Sequence, residues 1–215
     1  MAERTQFAGY IIYSFLITSI IYAIPLHWLW SDEGWLCAWG PNAVFGLGMI
    51  DFAGSGLVHM LGGVAGLVGS YIVGPRTGRF QSSVDQTIFA GHSLSLSTLG
   101  VYCLWFGWFG FNAGCTFGIS KGSWKTAALA CINTVISPTA SVLACLAIER
   151  WRCGFYNAAA CMNAVVAGLV GITGPCGVVA PWAAAVIGLL SGAVYCASWR
   201  LHERLHIDDP VHTQC

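Results

Sequence analysis

Asp51-Phe52-Ala53-Gly54-Ser55-Gly56-Leu57-Val58-His59, continued by Gly62, Gly63, Gly66 and Gly69, opens a run of about two dozen residues that holds no Asp, Glu, Lys or Arg after its first position. A helix takes about 20 apolar residues to cross the hydrocarbon core of a bilayer, so this run is long enough to span. One imidazole sits inside it. An ionisable ring in an apolar, glycine-rich helix is costly unless it faces a partner or a pore. His59 is therefore a functional-site candidate by default, and the run reads as the wall of a membrane conduit.

The rest of the chain has the same character. Of 215 residues, 56% are hydrophobic and 8% charged, and mean hydropathy is +0.69. That leaves too little polar surface to clothe a soluble globule. Charged residues are absent from 5–31, 52–75, 86–120, 126–148 and 153–199. The first four gaps take one helix each, over about 7–26, 50–74, 89–113 and 126–148. The fifth is of double length, and Gly174-Pro175-Cys176-Gly177 with Pro181 divides it into helices over about 156–173 and 179–199. The fold class is all-α, a polytopic transmembrane bundle of about six spanning helices.

Lys and Arg placement gives an orientation. With both ends cytoplasmic, Arg4, Arg76, Arg79, Arg150, Arg152, Arg200 and Arg204 lie inside and only Lys121 and Lys125 outside, the asymmetry that membrane insertion favours. Asp32 and Glu33 then fall in an outer loop and Asp51 at the outer mouth of the second helix. His59 lies eight residues further in, about 12 Å along a helical axis. No secretory signal with a small-residue cleavage site follows Met1, and no Asn-x-Ser/Thr sequon occurs.

The ten cysteines include no Cys-x-x-Cys pair, and Cys103, Cys131, Cys145, Cys161 and Cys196 lie within the expected helices, where they read as small apolar filler. Gly62, Gly66, Gly69, Gly168 and Gly171 are placed to let helix backbones approach closely where lipid offers no hydrophobic drive. Pro138 falls inside the fourth helix, where it should bend the helix and free a carbonyl that must find another donor. His27, His92, His202 and His206 read as membrane-edge or solvent groups. The cluster Trp105-Phe106-Gly107-Trp108-Phe109-Gly110-Phe111-Asn112-Ala113-Gly114-Cys115 has two readings on its residues alone. One is an interfacial aromatic belt. The other is an outer vestibule where Trp30, Phe111 and their neighbours hold a small cation by cation–π attraction, worth about 2 kcal/mol once desolvated.

Taken in order, several motifs resemble the ammonium transporter (Amt/Mep/Rh) family, most closely its plant-type branch. They are the Asp51 to His59 string with Gly62 and Gly63, Gly74-Pro75-Arg76 with Gly78, Arg79 and Phe80, the Trp108 to Gly114 run, and Asn133-Thr134. Ala167-Gly168-Leu169-Val170-Gly171-Ile172-Thr173, Cys176-Gly177 and Ile207-Asp208-Asp209-Pro210 complete the set. The resemblance covers essentially the whole chain, 1–215, as a single partial transmembrane domain. It implies an eleven-helix channel fold of two inverted five-helix repeats and a last helix, assembled as a homotrimer with a pore through each subunit. The six spans resemble the family's fourth to ninth helices, so on this reading the chain is incomplete at both ends and by itself conducts little or nothing.

Carried over by motif, His59 resembles the first of twin pore histidines and Asp51 the carboxylate at the outer end of that helix, read as a cap holding the vestibule, with direct cation binding as the alternative. Trp30 resembles the vestibule tryptophan, with Trp39 the alternative. Phe111 resembles one ring of a phenylalanine gate, and Trp108 joins the substrate pathway. Cys115 stands where most relatives place a serine, and a thiol is the weaker acceptor. His212 is too close to Pro210, and lacks a following glycine, to match the second pore histidine.

The implied function is ammonium and ammonia transport across a bilayer. The cation is recruited at the aromatic vestibule, loses a proton, and passes the pore histidine as neutral ammonia. The net species, ammonia or ammonia plus a proton, stays open. The expected location is the plasma membrane. No cofactor, metal, nucleic-acid partner or enzymatic activity is expected. Two alternatives stand beside this reading. One is a non-conducting truncated homologue or assembly partner. The other, a distant one, is an intramembrane protease, which would need Gly-x-Ser-Gly; Ser55 follows Ala53-Gly54 and Ser191 follows Leu189-Leu190.

Overall fold

The computed structural model describes residues 4–210, so His212 lies outside the described residues. Among them there is no strand, and the chain is a succession of apolar helices. Helix α1 (Phe7–Leu16), a π-turn (Ile17–Ile21) and α2 (Ala23–Trp30) run on as one rod, Phe7–Trp30. A second π-turn (Ser55–Met60) leads into α3 (Leu61–Val73). Then follow α4 (Leu94–Gly114), α5 (Ser123–Cys153), α6 (Ala158–Thr173) and α7 (Pro181–Arg204). Five rods are long and apolar enough to cross a membrane, and the sixth expected span, α6, is a shorter apolar helix of 16 residues.

Several boundaries differ from the sequence reading, each for a local reason. The second span begins at Ser55 and not near residue 50, because residues 51–54 form a turn in which Gly54 has φ +100°, a left-handed conformation suited to glycine. The first span runs on to Trp30, with Pro25 taken into the rod just after the π-turn Ile17–Ile21, where the helical hydrogen-bond pattern is already offset. Helix α5 continues past residue 148 to Cys153 because Glu149, nearly buried, pairs with Arg200 of α7 at 3.1 Å. A charge that ended an apolar gap in the sequence does not end the helix.

The core lies between α5, α6 and α7. Ser137 and Ser141 on α5 donate to the carbonyls of Gly168 and Ala164 on α6, at 2.8 and 2.6 Å. On the α7 side, Gly188 and Gly192 lie so near the Ser137 and Ser141 carbonyls that a Cβ on either would collide with backbone. Small residues thus bring backbones together and hydroxyls join them, which is how helices associate without a hydrophobic drive. Cys145 and Cys196 fill this core with Ala160, Ala164, Ala167 and Tyr195, as apolar filler does, and Cys161 is buried as well.

Pro138 lies inside α5 and has no N–H to give the Thr134 carbonyl four residues back. That carbonyl instead accepts Trp105 Nε1–H from α4 at 3.0 Å. The freed acceptor has found its donor on the neighbouring helix.

The first rod and α3 are held at their ends. At one end, Trp30 Nε1 donates to the Asp51 carbonyl at 2.7 Å. At the other, the buried Asp208 carboxylate accepts from Arg4 at 3.0 Å and from Arg76 at 2.8 and 2.9 Å. Arg76 and Arg79 also lie over the ring of Phe89.

Candidate substrate pathway

Asp51 builds the first part of the site. Its carboxylate is buried and accepts four backbone N–H bonds, from Gly54 (3.0 Å) and Ser55 (2.7 Å) on one oxygen and Gly56 (3.0 Å) and Leu57 (2.8 Å) on the other. A helix start leaves four such donors without intrahelical partners. One carboxylate meets them all, so Asp51 is fully engaged as a cap.

The same turn is fastened to the far end of α6. Phe52 and Ala53 N–H donate to the carbonyls of Gly174 (2.6 Å) and Thr173 (3.2 Å), and Ser55 Oγ donates to the Val170 carbonyl at 2.9 Å. From this anchored turn His59 N–H reaches back five residues to the Gly54 carbonyl at 3.1 Å, a π-type bond. The step from Asp51 to His59 is thus not a run of regular α-helix, since residues 51–54 are not helical and the next six form a π-turn. Such π-turns recur at functional sites.

His59 faces α4. Its ring stacks on Trp108, with centroids 5.0 Å apart and planes 14° from parallel, and lies 5.5 Å from the ring of Phe111. Trp108 and Phe111 are 5.9 Å apart, so three aromatic rings from two elements meet at one point. His59 Nε2 is buried with no hydrogen-bond partner among the described residues. His59 and Trp108 line a groove of about 1000 Å³ that also touches Ser55, Val101, Asn163 and Pro210.

Trp30 belongs to the Asp51 turn rather than the ring cluster, and keeps part of its surface exposed. Trp39 projects from the following loop, 69% exposed, while Trp30 is tied to the Asp51 turn. Cys115 stands one turn beyond Phe111, and its thiol donates to the Phe111 carbonyl at 3.3 Å. Burial, helped by the charge of Asp51, pushes that thiol above its ordinary value and keeps it protonated. Among the described residues no group of three or more His, Cys, Asp or Glu is gathered as a metal site.

Sequence reasoning gave no role to the hydroxyls and amides behind the rings. Trp108 Nε1 donates to Thr173 Oγ1 at 2.8 Å, and Asn112 donates to Thr134 Oγ1 at 2.9 Å. Asn133 donates to the carbonyls of Cys176 and Val179, both at 2.9 Å, holding the turn between α6 and α7. All four of these Asn and Thr side chains are fully buried. The available signal was their uncharged polarity inside apolar helices, where an unmet polar group costs several kcal/mol.

Residues 1–214 match the profile of the Ammonium Transporter Family. The chain is 40% identical over 220 residues to ammonium transporter 1 member 1 of Solanum lycopersicum, covering 98% of this chain and 45% of that one. It is 42% identical over 222 residues to the rice protein of the same name, Oryza sativa subsp. japonica, with 98% and 45% covered. It thus spans about 45% of the length of these curated relatives. Among solved structures it resembles Mep2 of Saccharomyces cerevisiae, with TM-score 0.82 and 30% identity over 98% of this chain and 44% of that one. By its profile over residues 1–214 and by its likeness to relatives that are named as ammonium transporters, the chain belongs to the ammonium transporter family.

Proposed function

We propose that this chain provides the recruiting rim and the first pore histidine of an ammonium conduction pathway. What supports the reading most directly is His59 Nε2, buried and unpartnered among the described residues, on the wall of a groove and beneath the stacked ring of Trp108. A bare ammonium ion entering hydrocarbon would lose hydration worth several kcal/mol or more. Aromatic faces at Trp30 and Phe111 offset part of that loss by cation–π attraction. Asp51, with its oxygens already engaged, acts through its field rather than as a direct ligand. Below the rim the ion sheds its proton, and neutral ammonia passes along the groove with the imidazole offering a hydrogen bond. Potassium has no proton to shed, which gives the pathway its selectivity. Plasma-membrane location, cytoplasmic ends and assembly as a homotrimer belong to the same proposal.

A second reading, a non-conducting homologue or assembly partner, is favoured by the uncovered apolar surface beside the groove, where Met60, Val64 and Val68 are each at least half exposed. Grafting residues 1–214 in place of the matching segment of the tomato relative, in cells lacking their own ammonium transporters, separates the two. The graft should restore growth on low ammonium, and His59→Ala should abolish it. A graft that reaches the membrane and carries no ammonium overturns the conduction reading. His59-dependent uptake by these 215 residues expressed alone would remove the non-conducting one.

A further inference from the structure

Thr173 ends α6 fully buried and makes contacts in two directions. Its hydroxyl donates back to the Leu169 carbonyl at 2.8 Å, the usual bond for a buried helical threonine. That leaves the oxygen free to accept, and it takes Trp108 Nε1–H at 2.8 Å. Its main-chain carbonyl accepts Ala53 N–H at 3.2 Å, in the turn whose Gly54 carbonyl then receives His59 N–H. One residue therefore holds the indole through its side chain and the imidazole-bearing turn through its backbone. These are the two rings that stack 5.0 Å apart and 14° from parallel.

We infer that Thr173 is a positioning residue for His59, setting the tilt of Trp108 over the imidazole and so the edge that His59 presents to the groove. The inference rests on the reading of His59 as a conduction group. Rotation of an indole about its two side-chain torsions is checked only by what its N–H and its faces meet. On one face it meets the His59 ring, which is carried by the turn docked on the end of α6. The N–H bond to Thr173 is the fixed point of the stack. Valine at 173 has nearly the same shape and keeps the main-chain carbonyl, so Thr173→Val removes the hydroxyl, giving up its bond to the Leu169 carbonyl and leaving the buried Trp108 N–H orphaned.

The test takes the full chain in lipid nanodiscs with isotope-labelled histidine, the His59 ring signals being assigned by their loss in His59→Gln. In the native chain these signals carry the ring-current shift of the stacked indole. Thr173→Val should move them and Thr173→Ser should hold them in place. Equal displacement by both variants, or none by Thr173→Val, overturns the inference. Should Thr173→Val fail to fold, Trp108→Phe with Thr173→Val decides, because that pair has no indole N–H to orphan. Folding restored in the pair supports the inference, and failure of both assigns the hydroxyl to α6 packing and overturns it. In the tomato graft, Thr173→Val should lower maximal uptake several-fold at nearly unchanged half-saturation. A graft that never conducts defeats the conduction reading, while the histidine spectra still decide the role of Thr173.

Discussion

Helices α5 and α7 and the rods Phe7–Trp30 and Ser55–Val73 are all apolar enough to span a membrane, and they are held in opposite ways. In the most apolar window of the rods containing α5 and α7, 39% and 28% of residues are buried within the molecule, against none for Phe7–Trp30 and 11% for Ser55–Val73. The packed pair interlock where Gly188 and Gly192 meet the Ser137 and Ser141 carbonyls, and the hydroxyls of the same serines join α5 to α6. The other two are joined by hydrogen bonds and ion pairs at their tips. Apolarity decides that a segment enters the bilayer, and small residues with buried hydroxyls decide what it then lies against. The groove runs along the boundary between the two kinds of region.

The comparison breaks if the two regions respond to perturbation as one. Asp51→Ala removes the acceptor of four N–H groups, a loss of about 3 kcal/mol or more. Amide exchange across residues 55–60 should then quicken by about a hundredfold while α5 to α7 keep their rates. Mass-spectrometric exchange in nanodiscs reads both, and equal quickening everywhere would mean one cooperative unit. Gly188→Val should do the converse. It forces a side chain into the Ser137 carbonyl, at about 2 kcal/mol for overpacking, and lowers the thermal midpoint of the packed helices with little change at residues 55–60.

The joint at the other end adds a pH dependence. Burial pushes the Asp208 carboxyl upward, but the hydrogen bonds and charge of Arg76, with the charge of Arg4, outweigh it and hold the group below its ordinary value of 3.8. A lowered folded-state value contributes stability that is whole above 3.8 and is lost as pH falls through the lower one. Acid below that range should free the Arg4 and Arg76 segments before the packed helices. Asp208→Asn should quicken exchange there about tenfold at neutral pH, roughly 1.4 kcal/mol, and remove the acid step. The smallest effect expected is that of Trp105→Phe, about 1 kcal/mol on thermal unfolding. It should vanish in combination with Pro138→Ala, which returns an N–H to the Thr134 carbonyl.

The spans were legible because five gaps without charge are each long enough to cross a bilayer, and the glycine and proline pair after Thr173 marked the division of the longest. Their ends were less so. Glu149 looked like a terminus and is a buried partner of Arg200, a pairing between helices that no local pattern contains. Asp51 was readable as a cap from its place before an apolar run. The four-bond saturation and the π-turn after it depend on the docking of residues 52–55 against α6. The ring cluster was visible as a composition, and its stacking was not, since the tilt of Trp108 is tied to a hydroxyl 65 residues away. Pro138 is the instructive middle case. The sequence shows that a carbonyl is freed, and only the fold shows that Trp105 takes it.

That exchange gives proline an unfamiliar job. Among hydrocarbon tails nothing competes for a vacant carbonyl, so deleting a donor from one helix amounts to writing an address on its side. Trp105 is the residue that answers it. With the Asn112 bond to the Thr134 hydroxyl beside it, the axial register of two greasy cylinders, which dispersion forces alone would leave free to slide, is thereby set in part by an omission.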